Sequence, residues 1–139
     1  MYEWHRQIQT IIDEIDASIR RGDDAALTLR SLARKLGYSD FHMTKKFREI
    51  TGLSLREYLR ARRLAFALMA VRDTDRRLLD IALDYGFSSH EAFTRAFRAE
   101  YGVTPAAYRK KPVAVKLRTR INTFDRYAFG MEEIGMVKS

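Results

Sequence analysis

The polar side chains best suited to binding a partner in this 139-residue sequence form one pattern that occurs twice. In each copy a threonine is followed by a basic residue and, three positions further, by an arginine. The copies are Thr44, Lys45 and Arg48, and Thr94, Arg95 and Arg98. Donors on long side chains can hydrogen-bond base edges in the major groove of DNA, and cations further along the helix can contact phosphates. The pattern therefore predicts nucleic-acid recognition.

Other kinds of chemistry lack the residues that they need. The three histidines, His5, His42 and His90, are scattered along the chain, and the sequence has no cysteine. It contains no HExxH, no GxSxG and no glycine loop of the kind that cradles phosphates. We therefore expect no catalytic residue, no metal site and no cofactor, and we predict that the protein is not an enzyme.

The charge of the chain agrees with a polyanionic partner. The formal net charge is +8, and residues 31–111 hold 17 Lys/Arg against 9 Asp/Glu. Such an excess favours nucleic acid, because each neutralised phosphate releases a counterion. The sequence has neither an apolar run of membrane-spanning length nor the apolar region of a signal peptide, and the absence of cysteine suits a reducing compartment. We expect a cytoplasmic protein that does not bind membranes.

Capping residues and glycines divide the chain into seven expected helices, so the predicted fold class is all-α. The first helix runs from about Glu3 to Arg21 and ends at Gly22, with isoleucines at steps of three and four. Its acidic residues lie off that apolar stripe and are expected to face solvent: Asp13, Glu14 and Asp16.

One helix is predicted to be longer than the others. Ser54 and Glu57 form a capping box that opens it, and the helix covers about 55–72. It carries the cluster RARR at 60–63. For that cluster two interpretations stay open, a solvated face and a surface that contacts phosphates or a polymerase.

The segments on either side of the long helix repeat each other. Matching residues are Ala33 with Ala82, Gly37 with Gly86, Phe47 with Phe97, Gly52 with Gly102, and Tyr58 with Tyr108. A small alanine lets two helices approach, and a glycine four residues later can take the left-handed conformation of a sharp turn. The sequence predicts two helix-turn-helix subdomains, at about 28–52 and 76–102, joined by the long helix.

After Lys111 the sequence pattern changes from the helical period to alternation. Val113, Val115 and Leu117 alternate with other residues and predict a short strand, which either docks on the helices or begins a second domain. No closing element is expected in the final FGMEEIGMVKS. We divide the chain into residues 1–111, expected to bind DNA, and an extension, 112–139.

At this point the sequence resembles the AraC/XylS family of bacterial transcription regulators. The resemblance rests on LARKLGYS…KKFREITGLSLREYLRARRLAFA and IALDYGFSSHEAFTRAFRAEYGVTPAAYRK, and it covers about residues 5–111. It implies two recognition helices that enter successive major grooves roughly 34 Å apart, so that one chain reads a bipartite, non-palindromic promoter site.

The resemblance also implies roles for individual residues. The expected base-reading residues are Phe41, Thr44, Lys45, His90, Glu91, Thr94 and Arg95. The expected contacts to the DNA backbone are Ser39, Arg48, Ser88, Ser89, Arg98, Lys110 and Lys111. Two base readers have alternatives: Phe41 could touch a thymine methyl or fold back onto the core, and Glu91 could bind a cytosine amino group or form a capping box with Ser88.

The expected partner is double-stranded DNA, bound by a monomer in the bacterial cytoplasm. The resemblance further implies an activator that contacts RNA polymerase, and a small-molecule effector bound by a C-terminal domain that begins near Pro112 and is absent from this chain. The alternative function is a helical protein-interaction module whose basic surface binds polyanions without sequence preference.

Overall fold

The computed structural model describes residues 2–24, 27–124 and 131–134, with only the backbone of residues 40, 41 and 131–134. These residues form seven helices and two strands. They are α1 (Glu3–Arg21), α2 (Leu29–Leu36), α3 (Asp40–Thr51), α4 (Leu55–Asp73), α5 (Leu78–Asp84), α6 (His90–Tyr101), α7 (Pro105–Lys110), β1 (Val115–Arg118) and β2 (Met131–Ile134). The prediction of an all-α fold with a long linker helix and a short strand is confirmed. None of the described helices has the length and apolar content that crossing a bilayer requires.

The helix ends follow local capping chemistry, as predicted. The Thr28 hydroxyl accepts from the Ser31 amide at the start of α2. The Glu57 carboxylate accepts the Ser54 N–H at 2.8 Å, and the Glu57 N–H donates to the Ser54 hydroxyl at 3.1 Å. Such side-chain bonds satisfy N–H groups that the first turn of a helix leaves without a partner, and each cap contributes about 1 kcal/mol to stability.

The described residues divide into two compact units. Of the described residues, the first unit comprises 2–24, 27–60 and 120–124 and contains α1, α2, α3 and the start of α4. Its core is built on the predicted isoleucine stripe of α1, none of which is more than 3% exposed: Ile8, Ile11, Ile12, Ile15 and Ile19. Leu32, Met43, Phe47 and Tyr58 complete it, each at most 1% exposed. Burial of each such side chain contributes about 1.5–3 kcal/mol.

The second unit comprises the described residues 61–119 and 131–134 and contains the rest of α4, then α5, α6, α7 and both strands. Its buried cluster includes Leu68, Ile81, Phe93 and Phe97 from three helices. Two side chains of β1, Val115 and Leu117, belong to the same cluster. The extension after Lys111 therefore docks on the helices, which was one of the two predicted outcomes.

The expectation that the final segment holds no further element is wrong, because β2 pairs antiparallel with β1 from Val115↔Ile134 to Arg118↔Met131. Two adjacent glutamates in β2 interrupt strict alternation, and glutamate is depleted in strands. The local sequence of β2 therefore gives no strand signal, and its pairing with β1 is what defines it.

Residues 120–123, the C-terminal segment, contact α1 and change the environment of one of its acidic residues. Asp16 is 3% exposed, and the Arg120 Nε lies 3.9 Å from its Oδ2. The prediction that the acidic residues of α1 face solvent is therefore wrong for Asp16, although Asp13 is exposed. The physical reason is non-local: residues 120–123 return to α1, and the Thr123 hydroxyl donates to the His5 carbonyl at 2.9 Å.

The RARR cluster is not a solvated face either. Arg62 is 6% exposed, its Nη1 donates to the Arg118 carbonyl at 2.6 Å, and its guanidinium lies 4.9 Å from the centre of the Phe66 ring. Arg63 is half-buried against the turn at Gly86, while Arg60 is exposed. Two of these three arginines therefore support the fold of the second unit.

Candidate DNA-binding surface

In the first unit, α2, a sharp turn and α3 form the predicted helix-turn-helix. Gly37 ends α2 with a φ of 78°, a left-handed conformation that suits glycine. The Tyr38 N–H then donates to the Ala33 carbonyl at 2.7 Å, which closes the turn. The small Ala33 is fully buried, as the pattern predicts for a residue between two close helices.

The two faces of α3 differ as the periodicity predicts. Met43 and Phe47 are 0% exposed and anchor the helix to the core. Thr44, Lys45 and Arg48 are exposed on the remaining surface. One burial stripe thus fixes the rotation of α3 about its axis and presents the polar set outward.

Ser39 and Phe41 lie at the start of α3. Ser39 is the N-cap residue, but its side chain makes no capping hydrogen bond, and it is exposed. The Phe41 side chain lies outside what the structure describes. Its two alternatives, a thymine contact and a return to the core, therefore both stay predictions.

Arg48 shares its surface with a carboxylate. Its Nη2 lies 3.9 Å from Glu57 Oε1, and both side chains are more than half exposed. The Ser54 backbone N–H, followed by the Ser54 hydroxyl, lowers the pKa of Glu57, so this carboxylate stays ionised beside Arg48. A pair this long and this exposed to solvent contributes little to stability, which leaves Arg48 available for a phosphate.

The second unit repeats the arrangement with α5, a turn and α6. Gly86 has a φ of 87°, and the Phe87 N–H donates to the Ala82 carbonyl at 2.9 Å. The turn has less room than its counterpart, because a Cβ at Gly86 would lie 3.3 Å from the Arg63 Nε. The left-handed conformation favours glycine here, and a Cβ would in addition require the Arg63 side chain to shift by a few tenths of an ångström.

The faces of α6 correspond to those of α3. Phe93 and Phe97 are 0% exposed and Ala96 is 4% exposed, so these three side chains form the buried face of α6. Four predicted DNA contacts lie on the exposed surface of α6, and Thr94 is half-buried between the two faces. The exposed four are His90, Glu91, Arg95 and Arg98.

The capping of α6 differs from the sequence prediction. Ser89, rather than Ser88, is the N-cap residue, and its hydroxyl accepts from the Ala92 N–H at 3.0 Å. The predicted capping box of Ser88 with Glu91 is therefore wrong. Adjacent serines offer two possible starts, and the helix begins one residue later than the pattern indicated. Glu91 is left exposed in the first turn and Ser88 is exposed before the helix.

The last predicted contacts lie at the end of α7. Lys110 ends the helix and Lys111 follows it, and both are exposed. Their neighbour Arg109, which the sequence reasoning missed, turns inward and donates to two backbone carbonyls. Among the described residues no group of three or more His, Cys, Asp or Glu side chains could hold a metal ion.

Known proteins share this arrangement. A family model described as a helix-turn-helix domain matches residues 32–111. The regulatory protein SoxS of Salmonella typhimurium is 42% identical over 108 residues, which are 77% of this chain and 97% of SoxS. The right origin-binding protein of Escherichia coli is 46% identical over 89 residues, which are 64% of this chain but only 31% of that relative's length.

Solved structures agree with the sequence matches. A DNA-binding transcriptional dual regulator from Escherichia coli matches with a TM-score of 0.63 at 26% identity, covering 72% of this chain and 89% of that one. The DNA-binding domain of AdpA, solved in complex with a target DNA, matches with a TM-score of 0.60 at 26% identity, covering 71% and 89%. Together with the matched residues 32–111, these relatives show that the chain belongs to the AraC/XylS family of DNA-binding transcription regulators.

Proposed function

We propose that this chain is a sequence-specific DNA-binding transcription regulator that reads a bipartite promoter site with α3 and α6 in successive major grooves. The observation that carries the proposal is the matched pair of exposed surfaces. Each recognition helix buries phenylalanine on one face and exposes a basic residue and an arginine on the other; the threonine beside them is exposed in α3 and half-buried in α6. Packing alone requires only the buried face, whereas a major-groove reader requires both.

Base reading is assigned to the exposed residues in the first half of each helix. Arg95 is exposed, and an arginine at such a position can pair bidentately with guanine; Lys45 occupies the matching position in α3. Thr44, Thr94 and His90 offer shorter donors and acceptors beside them. Glu91, free of the capping box, can accept from a cytosine amino group, and Phe41 is proposed to contact a thymine methyl.

Backbone contacts are assigned to residues that lie around the readers. Arg48 and Arg98 lie one turn beyond Lys45 and Arg95, and both are exposed. Serine hydroxyls can contribute as well, since the Ser89 oxygen that accepts from Ala92 still has a proton to donate to a phosphate. Ser39, Ser88, Lys110 and Lys111 complete the proposed backbone set.

The wider biology is proposed on the same basis. AdpA is solved with a target DNA, and SoxS is named a regulatory protein, which supports DNA as the partner and regulation as the outcome. We expect a monomer on DNA, activation through contact with RNA polymerase, a bacterial cytoplasmic location and no enzymatic activity. Residues 112–139 are proposed to lead into an effector-binding domain.

Selection of bound duplexes from a random DNA library tests the function. The wild-type chain should enrich a site with two blocks about one helical turn apart. If no sequence is enriched while binding still falls steeply with salt, the protein grips phosphates only, and the alternative of a non-specific polyanion-binding module replaces the proposal.

Two arginines of the same helix provide a matched pair for that selection. Arg95→Ala should relax one block, at a cost of about 1–3 kcal/mol for the preferred base. Arg98→Ala should instead weaken binding to every sequence and lower the slope of log K against log salt by about 0.9. If both variants behave alike, the division into base readers and phosphate contacts is wrong.

A further inference from the structure

Arg109 lies in α7 directly before Lys110 and Lys111, which are proposed to touch DNA, yet its side chain points into the second unit. Its Nε donates to the Val71 carbonyl at 2.9 Å, and its Nη1 donates to the Arg76 carbonyl at 2.7 Å. Its Nη2 is buried and has no hydrogen-bond partner in the described part of the chain. The guanidinium is therefore directed at backbone oxygens rather than at solvent.

The two carbonyls that Arg109 binds lie at the end of one helix and just before the start of the next. Val71 lies in the last turn of α4, where backbone carbonyls lack partners within the helix and carry a partial negative charge. Arg76 immediately precedes Arg77, the N-cap residue of α5. Arg109 thus joins the end of α4 and the start of α5 to α7.

The elements that Arg109 joins flank the second recognition helix, α6, in the sequence. Helix α6 lies between α5 and α7 in sequence, and it carries Arg95. A residue that holds the start of α5 to α7 therefore constrains both sides of the segment that presents α6. Lysine cannot replace this function, because its single ammonium lacks the planar fork that reaches two carbonyls at once.

The internal repeat shows that the fold itself does not require a cation at this position. Tyr58 matches Tyr108, so the residue that matches Arg109 in the first unit is Leu59, which is 5% exposed. The first unit fills the position with hydrocarbon, whereas the second unit uses a guanidinium with two carbonyl partners. The arginine is a special feature of the second unit.

We propose that Arg109 is a positioning residue for DNA reading by the second unit. It fixes the α4–α5 connection to α7, and it thereby holds α6 in the orientation that directs Arg95 toward the base it reads. This inference rests on the proposed function. It also separates Arg109 from its neighbours Lys110 and Lys111, which are exposed and proposed to contact phosphates.

The test compares the wild type with Arg109→Lys, Arg109→Leu and Lys110→Ala, at a temperature where circular dichroism shows each variant folded. Arg109→Leu restores the residue type of the first unit and guards against a variant that does not fold. For both Arg109 variants we expect about a tenfold loss of base preference in the second block, with the first block and the salt slope unchanged. Lys110→Ala should do the opposite, lowering the salt slope by about 0.9 while base preference is kept.

Hydrogen exchange supplies a readout that does not depend on DNA. In Arg109→Lys the amides of the α4–α5 connection, residues 74–77, and the first turn of α5 should exchange about tenfold faster, because the connection has lost its tie to α7. If the wild type selects no site but this exchange effect appears, the proposed function fails while the tie by Arg109 stands. Unchanged exchange, or an Arg109→Lys variant that keeps its second-block preference, overturns the inference. So does a loss of affinity on all sequences with a reduced salt slope, since that would make Arg109 a phosphate contact.

Discussion

Tyr58 in the first unit and Tyr108 in the second unit occupy matching positions of the repeat, and both are 0% exposed, but their hydroxyl groups differ in environment. The Tyr58 hydroxyl accepts the Ile121 N–H at 3.1 Å. The Tyr108 hydroxyl is buried and makes no hydrogen bond of normal geometry within the described residues; Arg72 is the side chain that interacts with it, and burial raises the pKa of Tyr108. The C-terminal segment therefore satisfies a buried polar group in one copy of the repeat and not in the other.

That segment is held to the first unit by further bonds. The Gln9 amide donates to the Ile121 carbonyl at 3.2 Å, and its oxygen accepts the Thr123 N–H at 2.7 Å. Ile121 itself is 0% exposed. Residues 120–123 are consequently part of the first unit's fold, although they follow α7 in the chain.

The units also use different chemistry to tie their helices together. In the first unit, Glu14 of α1 accepts from Lys35 of α2 at 2.7 Å and from Arg21 at 2.8 Å. In the second unit, Arg109 binds two backbone carbonyls. The repeated surfaces proposed to read DNA therefore rest on different supports, an ionic and titratable one in the first unit and a guanidinium bound to neutral carbonyl oxygens in the second.

The largest effect is expected from the matched core phenylalanines. Phe47→Ala and Phe97→Ala each remove a fully buried ring and should lower the free energy of unfolding by about 3–5 kcal/mol. Hydrogen exchange followed residue by residue should show the greater loss of protection in the unit that carries the substitution. Equal losses in both units would mean that they unfold together, and the separate treatment of the two units would then be wrong.

A smaller effect separates the two tyrosines. Tyr58→Phe leaves the Ile121 N–H buried without its acceptor and should lower the free energy of unfolding by about 1–3 kcal/mol. Tyr108→Phe removes a hydroxyl that makes no hydrogen bond of normal geometry within the described residues and interacts with the Arg72 side chain, so it should change the free energy of unfolding by less than about 0.5 kcal/mol. Denaturant titrations of both variants measure the difference. Equal destabilisation would contradict the contrast drawn between the two hydroxyl groups.

The smallest effect concerns acid. The hydrogen bond from Lys35, followed by that from Arg21, lowers the pKa of Glu14 from 4.5 to about 2. Because the folded-state pKa is the lower one, the stabilisation is complete above pH 4.5 and is lost as the pH falls toward 2. Since Lys35 and Arg21 are about half exposed, we expect only about 1 kcal/mol.

The free energy of unfolding, measured from pH 7 to pH 2, checks this prediction. Glu14→Gln should be less stable than the wild type at pH 7 and should approach it at pH 2. Arg109→Leu serves as the matched control, because the carbonyls that Arg109 binds do not titrate in this range. It should therefore lose stability with falling pH as the wild type does. A Glu14→Gln variant with an unaltered acid profile would contradict the assignment.

The sequence predicts best those features that local chemistry determines. Gly22, Gly37 and Gly52 end helices because each adopts a left-handed conformation, and Thr28 and Thr104 cap the helices that follow them. The exposed faces of α3 and α6 follow from the spacing of Phe47 and Phe97 alone. Adjacent serines at 88 and 89 mark the limit of such reasoning, since either could begin a helix.

The features that the sequence did not reveal depend on residues far apart in the chain. The sequence could not predict the burial of Arg62, because its partner, the Arg118 carbonyl, lies 56 positions later in the chain. Asp16 looked exposed for the same reason, because Arg120 reaches it from the C-terminal segment. The inward turn of Arg109 likewise depends on carbonyls 33 and 38 positions away. Spacing within one helix carries no information about such partners.

If α3 and α6 read separate blocks of one DNA site, reciprocal substitutions in the two helices should have separable effects on the selected sequence. Random-library selections with Lys45→Ala and with Arg95→Ala, at matched salt, should each relax a different block and leave the other intact, at a cost of about 1–3 kcal/mol per block. The account is contradicted if both variants relax the same block, or if neither changes the enriched sequence.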